Sequence, residues 1–257
     1  MSADDVHREE YRGYTIRLVP DPDPENPREE WDNVGTMRCW HQRYDLGDRP
    51  KDGRERYPDG LLRLLAKEAD KKFRLWSGLM EAVEGRHFPE HQTYQRVKRH
   101  YDQHLRRALR EHYRILPLYL LDHGGLALST SDFGDRWDSG LVGYVFVGLA
   151  KAVLEFGSLL GTRRAAWDTQ LPGGQTFGER LDEILRAEVR TYDAYLRGNV
   201  VGWVVENPDG EEVQSVWGYY PDEKGDYPDA LAEARATVDF EIEERRRIEA
   251  ETAACYI

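Results

Sequence analysis

The sequence predicts an α+β fold, with a mostly antiparallel sheet of about six or seven strands and about five helices, including a two-helix insertion. Three observations lead to this prediction. Short runs of β-branched and aromatic residues are typical of strands. Longer segments repeat apolar residues every three or four positions, as on one face of a helix. Tight turns join neighbouring strand runs and favour antiparallel pairing. We expect one domain over residues 1–257, with a basic, histidine-rich helical insertion at residues 56–114.

Two strands are predicted near the N-terminus, at residues 14–19 and 34–44, because both segments are rich in residues that favour strands. The acidic segment between them contains four prolines, which remove backbone donors and interrupt both helices and sheets. We therefore expect a loop between the two strands.

Two helices are predicted within the insertion, at residues 60–83 and 92–113. In each of them one stripe of apolar residues recurs at helical spacing and would face a core. Gly85 and Pro89 lie between the two segments and mark the break.

The middle of the chain predicts a hairpin, a further strand and a helix. The hairpin joins residues 116–121 to residues 126–131 through a turn with two glycines, which supply the positive φ that tight turns need. The next strand covers residues 141–147, and a short helix follows at residues 149–160.

The C-terminal part predicts a helix that opens with a capping box, Thr176 and Glu179, and ends near residue 196. A second hairpin then joins residues 200–205 to residues 213–219 through an Asn-Pro-Asp-Gly turn.

This second hairpin contains one tryptophan on each strand, Trp203 and Trp217. We expect the two indoles to pair across the strands, as aromatic residues often do. A final charged helix is predicted at residues 229–250, because its apolar residues recur at helical spacing.

The charge balance excludes several classes of protein. The chain has 36 Lys and Arg against 48 Asp and Glu, a net charge of −12, so it is not a uniformly basic nucleic-acid coat. No window of 18 residues is apolar and the N-terminus is polar, so we expect neither export nor membrane anchoring. Two distant cysteines exclude a disulfide framework and favour a reduced, cytoplasmic protein.

The familiar catalytic and cofactor motifs are missing from the sequence. It has no phosphate-binding GxxxxGK[ST], no GxGxxG after a strand, no GxSxG and no HExxH. The DFG triplet at residues 132–134 is not accompanied by a kinase catalytic loop. We predict no cofactor.

The segment 86–114 is basic, with eight Lys and Arg against three acids, so its charge is +5 while the rest of the chain carries −17. Two interpretations are open. The segment binds a phosphate-bearing partner such as nucleic acid, or it is a solvated helix face neutralised by the protein's own carboxylates, which is the more usual outcome. The basic patch comprises Arg96, Lys98, Arg99, Arg106, Arg107 and Arg110.

The same segment contains two histidine pairs with i, i+4 spacing, His87 with His91 and His100 with His104. Such spacing places both rings on one face of a helix, as metal sites require. Two ligands are fewer than zinc needs, so we predict no metal site. His100 and His104 are the candidate ligands on the predicted helix.

The loop at residues 129–140 is the strongest candidate site. A Ser139 nucleophile with His123 as base and Asp138 as the orienting carboxylate is chemically feasible. Alternatively, Asp138 and Ser139 only close a turn, which is the commoner role of these residue types. Candidate ligand contacts in the loop are Trp137, Gly140, Asp132 and Asp135.

A second candidate cluster contains Cys39 and His41, which share one face if both lie on a strand. They could form a nucleophile and base pair. The sequence identifies no orienting residue for them, so a buried cysteine beside a hydrogen-bonded histidine is the favoured interpretation.

Several blocks resemble a family of uncharacterised proteins from bacteriophages, plasmids and their hosts. They are a WDNVGTM block followed by CWH, a WDSGLVG loop and a WGYY hairpin. The resemblance implies a mobile-element origin and a cytoplasmic setting, but no reaction, so it assigns no catalytic residue. Where the family has a Cys and a Pro before WDSG, this chain has Asp135 and Arg136.

Three functions are consistent with these observations. The first is an accessory protein of a phage or mobile element that binds a host macromolecule or a nucleotide-like signal, as in counter-defence. The second is a small hydrolase or nucleotide-processing enzyme that uses the WDSG loop. The third is nucleic-acid binding through the basic helix.

Overall fold

The structure is a computed structural model that describes residues 5–48, 58–84, 91–160 and 166–255. Within these residues the chain forms eight strands and six helices. The strands are β1 (His7–Tyr11), β2 (Tyr14–Pro20), β3 (Thr36–Cys39), β4 (Tyr113–Asp122), β5 (Leu126–Ser129), β6 (Ser139–Gly148), β7 (Val201–Glu206) and β8 (Glu212–Tyr219). The helices are α1 (Pro58–Ala69), α2 (Lys71–Glu84), α3 (His91–His112), α4 (Leu149–Leu160), α5 (Phe177–Leu196) and α6 (Pro228–Cys255).

Every strand pairing is antiparallel, which confirms the predicted α+β class. The strands form two four-stranded sheets, with the orders β1-β2-β7-β8 and β3-β6-β4-β5, rather than one. Contacts divide the chain into a first unit, Met1–Glu30 with Thr191–Ile257, and a second unit, Trp31–Arg190. Folding as a single domain stays a prediction.

The first unit packs α6 against one face of its sheet. The core there contains Ile16 and Leu18 of β2, Trp203 and Val205 of β7, and Ala234 of α6, all almost completely buried. Alternating burial along β2 follows the strand period of two, as the sequence pattern predicts.

Strand β1 was not predicted, because its sequence HREEY is mostly charged and shows no apolar alternation. It lies at the edge of its sheet, where charged residues are common. Arg12 and Gly13 join it to β2 with φ values of 53° and 87°, so both residues adopt the left-handed conformation of a tight hairpin turn. Arg12 also forms an ion pair with Asp239 of α6.

The predicted pairing of two tryptophans across the second hairpin is wrong. Trp203 pairs with Val216, because the register shifts between Val201 and Trp203. The Trp217 ring instead covers Gly202, where any side chain would overlap the indole. A bulge in a strand therefore moves Trp217 to the other face of the sheet.

The insertion contains three helices rather than two. The predicted helix over residues 60–83 is divided at Asp70, whose Oδ1 accepts hydrogen bonds from the backbone N–H groups of Lys72 (2.7 Å) and Phe73 (3.3 Å). This side chain thus caps the start of α2. Phe73 packs against Tyr101 of α3, with ring centroids 5.1 Å apart. The predicted break at Gly85 and Pro89 lies outside the described residues.

The start of α5 agrees with the prediction from the sequence, whereas the length of β3 differs from it. The capping box of α5 is confirmed, since Thr176 N–H donates to Glu179 (2.8 Å) and Glu179 N–H donates to the Thr176 hydroxyl (3.2 Å). Strand β3 is shorter than the predicted segment 34–44, because the chain bends after Cys39 and returns so that Gly47 forms an antiparallel bridge with Arg38. None of the described helices is long and apolar enough to cross a bilayer.

Candidate functional site

Helix α3 separates apolar and basic residues onto opposite sides. Tyr101 and Ala108 are buried in the three-helix core of the insertion. At 100° per residue, five arginines fall within an arc of about 100° on the solvent side. We call this surface the arginine face; it comprises Arg96, Arg99, Arg106, Arg107 and Arg110, all of which are exposed. It extends about 21 Å along the helix, at 1.5 Å per residue.

The arginine face is only partly neutralised. Arg107 forms an ion pair with Glu111 at 2.8 Å, and Arg106 Nε donates to the backbone oxygen of Asp102. Among the described residues, Arg96, Arg99 and Arg110 have no carboxylate within ion-pair distance. The sixth cation of the predicted patch, Lys98, is exposed but lies away from the arginine arc.

Lys98 lines a cavity of about 410 Å³ between the helices of the insertion. Its charged lining is balanced, with three cations and three carboxylates, and Lys67 is paired with Glu81 at 2.6 Å. This cavity therefore favours neither an anion nor a cation.

The histidines of α3 pack against an aromatic ring. His100 and His104 both stack on Trp76 of α2, with centroid distances of 5.1 Å and 5.5 Å. Within the described part of the chain, no three His, Cys, Asp or Glu side chains cluster as metal ligands would. His87 and the side chain of His91 lie outside the described residues.

The loop before β6 is organised by Asp135. Its Oδ1 accepts the backbone N–H groups of Trp137 (2.8 Å) and Asp138 (3.0 Å), and its carbonyl accepts the Ser139 hydroxyl (2.5 Å). Hydrogen bonds from the amides of Asp138 and Trp137 lower the pKa of the Asp135 carboxyl. Asp132 likewise accepts the Gly134 amide at 3.0 Å, so both carboxylates build turns.

The structure brings together two members of the predicted catalytic set. His123 lies in the turn between β4 and β5, and its Nδ1 is 2.7 Å from Oδ2 of Asp138, the residue before β6. The Ser139 hydroxyl is directed instead to the carbonyl of Asp135, as the turn-closing interpretation expects. A catalytic role for the three residues stays a prediction.

One pocket joins a residue of the second candidate cluster to the loop before β6. This cavity of about 280 Å³ is lined by His41 together with Trp137, Asp138, Ser139 and Gly140. The pairing of β3 with β6 that brings these segments together is a long-range contact, which a single sequence does not reveal.

Cys39 does not line this pocket. It lies on β3 opposite Gly143, and the strand ends there, so Cys39 and His41 do not share a strand face. The His41 ring stacks on Tyr44 at 4.9 Å, and its Nδ1 accepts the backbone N–H of Arg43 at 3.3 Å. Strand β3 therefore does not extend to His41, and a nucleophile and base pair of Cys39 with His41 stays a prediction.

Arg43 is a lining residue that the sequence analysis missed. Its guanidinium contacts Asp122 at 2.5 Å and lies over the Tyr44 ring, 5.6 Å from the centroid. The only signal in the sequence was an arginine two positions after His41, in a segment predicted as strand.

Trp137 is the most prominent side chain at this pocket, since 95% of its surface is exposed. Gly140, three residues further along the chain, has open space where a side chain would be.

Comparisons with protein families, with curated proteins and with solved structures found no match to this chain.

Proposed function

We propose that this protein is a binding protein rather than an enzyme, and that its arginine face binds the sugar-phosphate backbone of nucleic acid. One observation carries the proposal: five exposed arginines lie along one side of α3, and three of them have no carboxylate partner among the described residues. This geometry favours the phosphate-binding interpretation of the basic segment over internal neutralisation.

The chemistry of arginine suits this role. Each guanidinium can donate two parallel hydrogen bonds to a phosphate and remains charged at any physiological pH. Phosphate contacts release counterions, so five contacts would make log K fall with log salt with a slope of about −4.5 on duplex DNA. Such contacts do not read bases, so we expect binding with little sequence preference.

The acidic charge of the rest of the chain restricts where on the protein a nucleic acid can bind. The chain outside residues 86–114 carries a net charge of −17 and repels phosphates, so we expect the nucleic acid to bind only at the arginine face. From the resemblance to phage and plasmid proteins we propose that this activity belongs to the cytoplasm of an infected host, with nucleic acid as the host macromolecule bound and counter-defence as the role.

The alternative of a hydrolase has less support. In the proposed triad the Ser139 hydroxyl donates to Asp135 rather than to His123. The side chain of His123 is exposed and that of Asp138 is only partly buried, whereas catalytic electrostatics are strongest in sites that exclude water.

The proposal is tested by fluorescence anisotropy with a labelled 20-bp DNA duplex and a single-stranded 20-mer RNA at 20–200 mM salt. In the triple variant Arg96→Gln, Arg99→Gln and Arg110→Gln, we expect affinity to fall more than tenfold and the salt slope on DNA to decrease by about 2.7.

The matched control neutralises three exposed arginines of α6, namely Arg245→Gln, Arg246→Gln and Arg247→Gln. Both variants change the net charge equally, so only a local site distinguishes them. Equal affinities of the two triple variants, or wild-type protein that does not bind at 20 mM salt, would contradict the proposal.

A further inference from the structure

The second surface is the loop at residues 129–140 with the pocket beside it, which we call the tryptophan loop. Trp137 is the most exposed of the large hydrophobic side chains that the structure describes. An indole is among the largest apolar groups in proteins, and its burial is normally a main source of stability. Tryptophan is enriched among the interface residues that contribute most to the binding of a partner protein.

The exposure of Trp137 is built into the loop. Its backbone N–H is held by Asp135, the following residue is paired with His123, and Ser139 closes the turn. The indole therefore projects from an ordered backbone, and binding would cost little conformational entropy.

The charges around Trp137 select the kind of ligand. Four carboxylates border the loop and the pocket, those of Asp122, Asp132, Asp135 and Asp138. The guanidiniums there are those of Arg43 and Arg136, and Arg43 is already paired with Asp122. With the histidines neutral, the site carries a net charge of about −2 and would repel a phosphate.

A cation is attracted by two parts of the same site. The face of an indole attracts ammonium and guanidinium groups. Beside it, Asp138 uses Oδ2 for His123, and no described side chain or amide is bonded to its Oδ1. The ring face of Trp137 and the Oδ1 atom of Asp138 thus offer stacking and an ion pair at adjacent positions.

We propose that the tryptophan loop docks a basic segment of a partner protein, with an arginine or lysine side chain stacked on Trp137 and paired with Asp138. The pocket of about 280 Å³ is large enough for one long side chain rather than for a folded domain. This interaction is separate from the arginine face, which has the opposite charge.

The test uses two-dimensional ¹H–¹⁵N NMR of the full chain, with tetra-arginine amide as the probe. It follows the indole N–H signal of Trp137 in the wild type and the backbone N–H signal of Gly140, a pocket residue that every variant retains. We expect a saturable shift of both signals in the wild type, and the affinities of the variants are compared through the Gly140 signal. Trp137→Leu should weaken binding about fivefold and Asp138→Asn about threefold, as expected for cation–π and exposed ion-pair contacts.

Two features of the variants separate this site from general attraction to an acidic protein. Trp137→Leu leaves the net charge unchanged, and the control Glu249→Gln removes one exposed carboxylate from α6. We expect the control to bind like the wild type, and the dispersion of the remaining signals reports that each variant is folded.

Three outcomes would overturn the proposal. Equal affinity of Trp137→Leu and wild type would mean that the peptide binds through net charge alone. A shift of the Trp137 signal with adenosine monophosphate but not with the peptide would assign the site to planar anions. Broadening of that signal with protein concentration alone would show that the loop contacts a second copy of the chain.

Discussion

Two tryptophans show how differently the two units use the same residue. Trp203 of the first unit is completely buried in the sheet, and its Nε1 donates to the hydroxyl of Tyr219 at 3.0 Å. Trp137 of the second unit is 95% exposed on a loop. The apolar surface of the buried indole is removed from water and its N–H group is hydrogen-bonded, so this side chain stabilises the fold. The exposed indole contributes little to the fold, which leaves it available for recognition.

The largest effect is expected from Trp203→Ala. Loss of a fully buried indole should lower the free energy of unfolding by about 3–5 kcal/mol. Trp137→Ala should change it by less than about 0.5 kcal/mol. Urea denaturation followed by circular dichroism measures both, and a comparable loss in Trp137→Ala would mean that the loop packs against the protein.

Two glycines of β6 differ in the space available for a side chain, and they allow the packing of the core to be compared with that of the tryptophan loop. A side chain at Gly143 would overlap the backbone carbonyl of Arg38, which is fixed in the neighbouring strand. Gly143→Ala should therefore cost about 3 kcal/mol, at the upper end of overpacking effects.

Gly140, three residues earlier at the end of the loop, faces open space. Gly140→Ala should be neutral or slightly stabilising, because alanine restricts the unfolded chain. Thermal unfolding of the two variants compares them directly. A destabilised Gly140→Ala protein would show that the loop end is as tightly packed as the strand.

A smaller effect than those of Trp203→Ala and Gly143→Ala is expected from an exposed ion pair of the first unit. A bidentate contact of Arg235 with Glu9 (2.7 Å) lowers the pKa of the Glu9 carboxyl. The pair therefore stabilises the fold above the unfolded-state pKa of about 4.5, and this contribution is lost as pH falls through the lower, folded-state value.

Glu9→Gln should accordingly lower the Tm by about 1–2 °C at pH 7, because solvent screens such pairs. Near pH 3 the wild type and the variant should melt closer together. Differential scanning calorimetry at both pH values measures this, and a Tm difference that grows on acidification would have the wrong sign.

Much of the fold was predictable because the signals are local. The capping residues Thr176 and Glu179 and the periodicity of α3 depend on neighbours within a few positions, and both predictions agree with the structure. The division at Asp70 and the charged edge strand β1 were missed. Each depends on whether tertiary contacts stabilise a segment whose local sequence is ambiguous.

The candidate site was only partly predictable. Residues Asp135, Trp137 and Asp138 are contiguous, so their loop could be singled out from the sequence. The approach of His41 and Arg43 to that loop depends on the register of β3 against β6, which a single sequence does not reveal. The exposure of Trp137 was likewise unpredictable, since tryptophans in loops are often anchors that are buried.

The turn at Arg12 illustrates a compromise between local and distant preferences. Most L-amino acids disfavour the left-handed backbone that Arg12 adopts, and an asparagine, which tolerates it, would suit the turn better. Asparagine, however, is too short and uncharged to reach Asp239 of α6 as the guanidinium does. The hairpin thus combines an unfavourable turn conformation with an ion pair that attaches its tip to α6. A substitution chosen to improve the turn alone would remove that attachment.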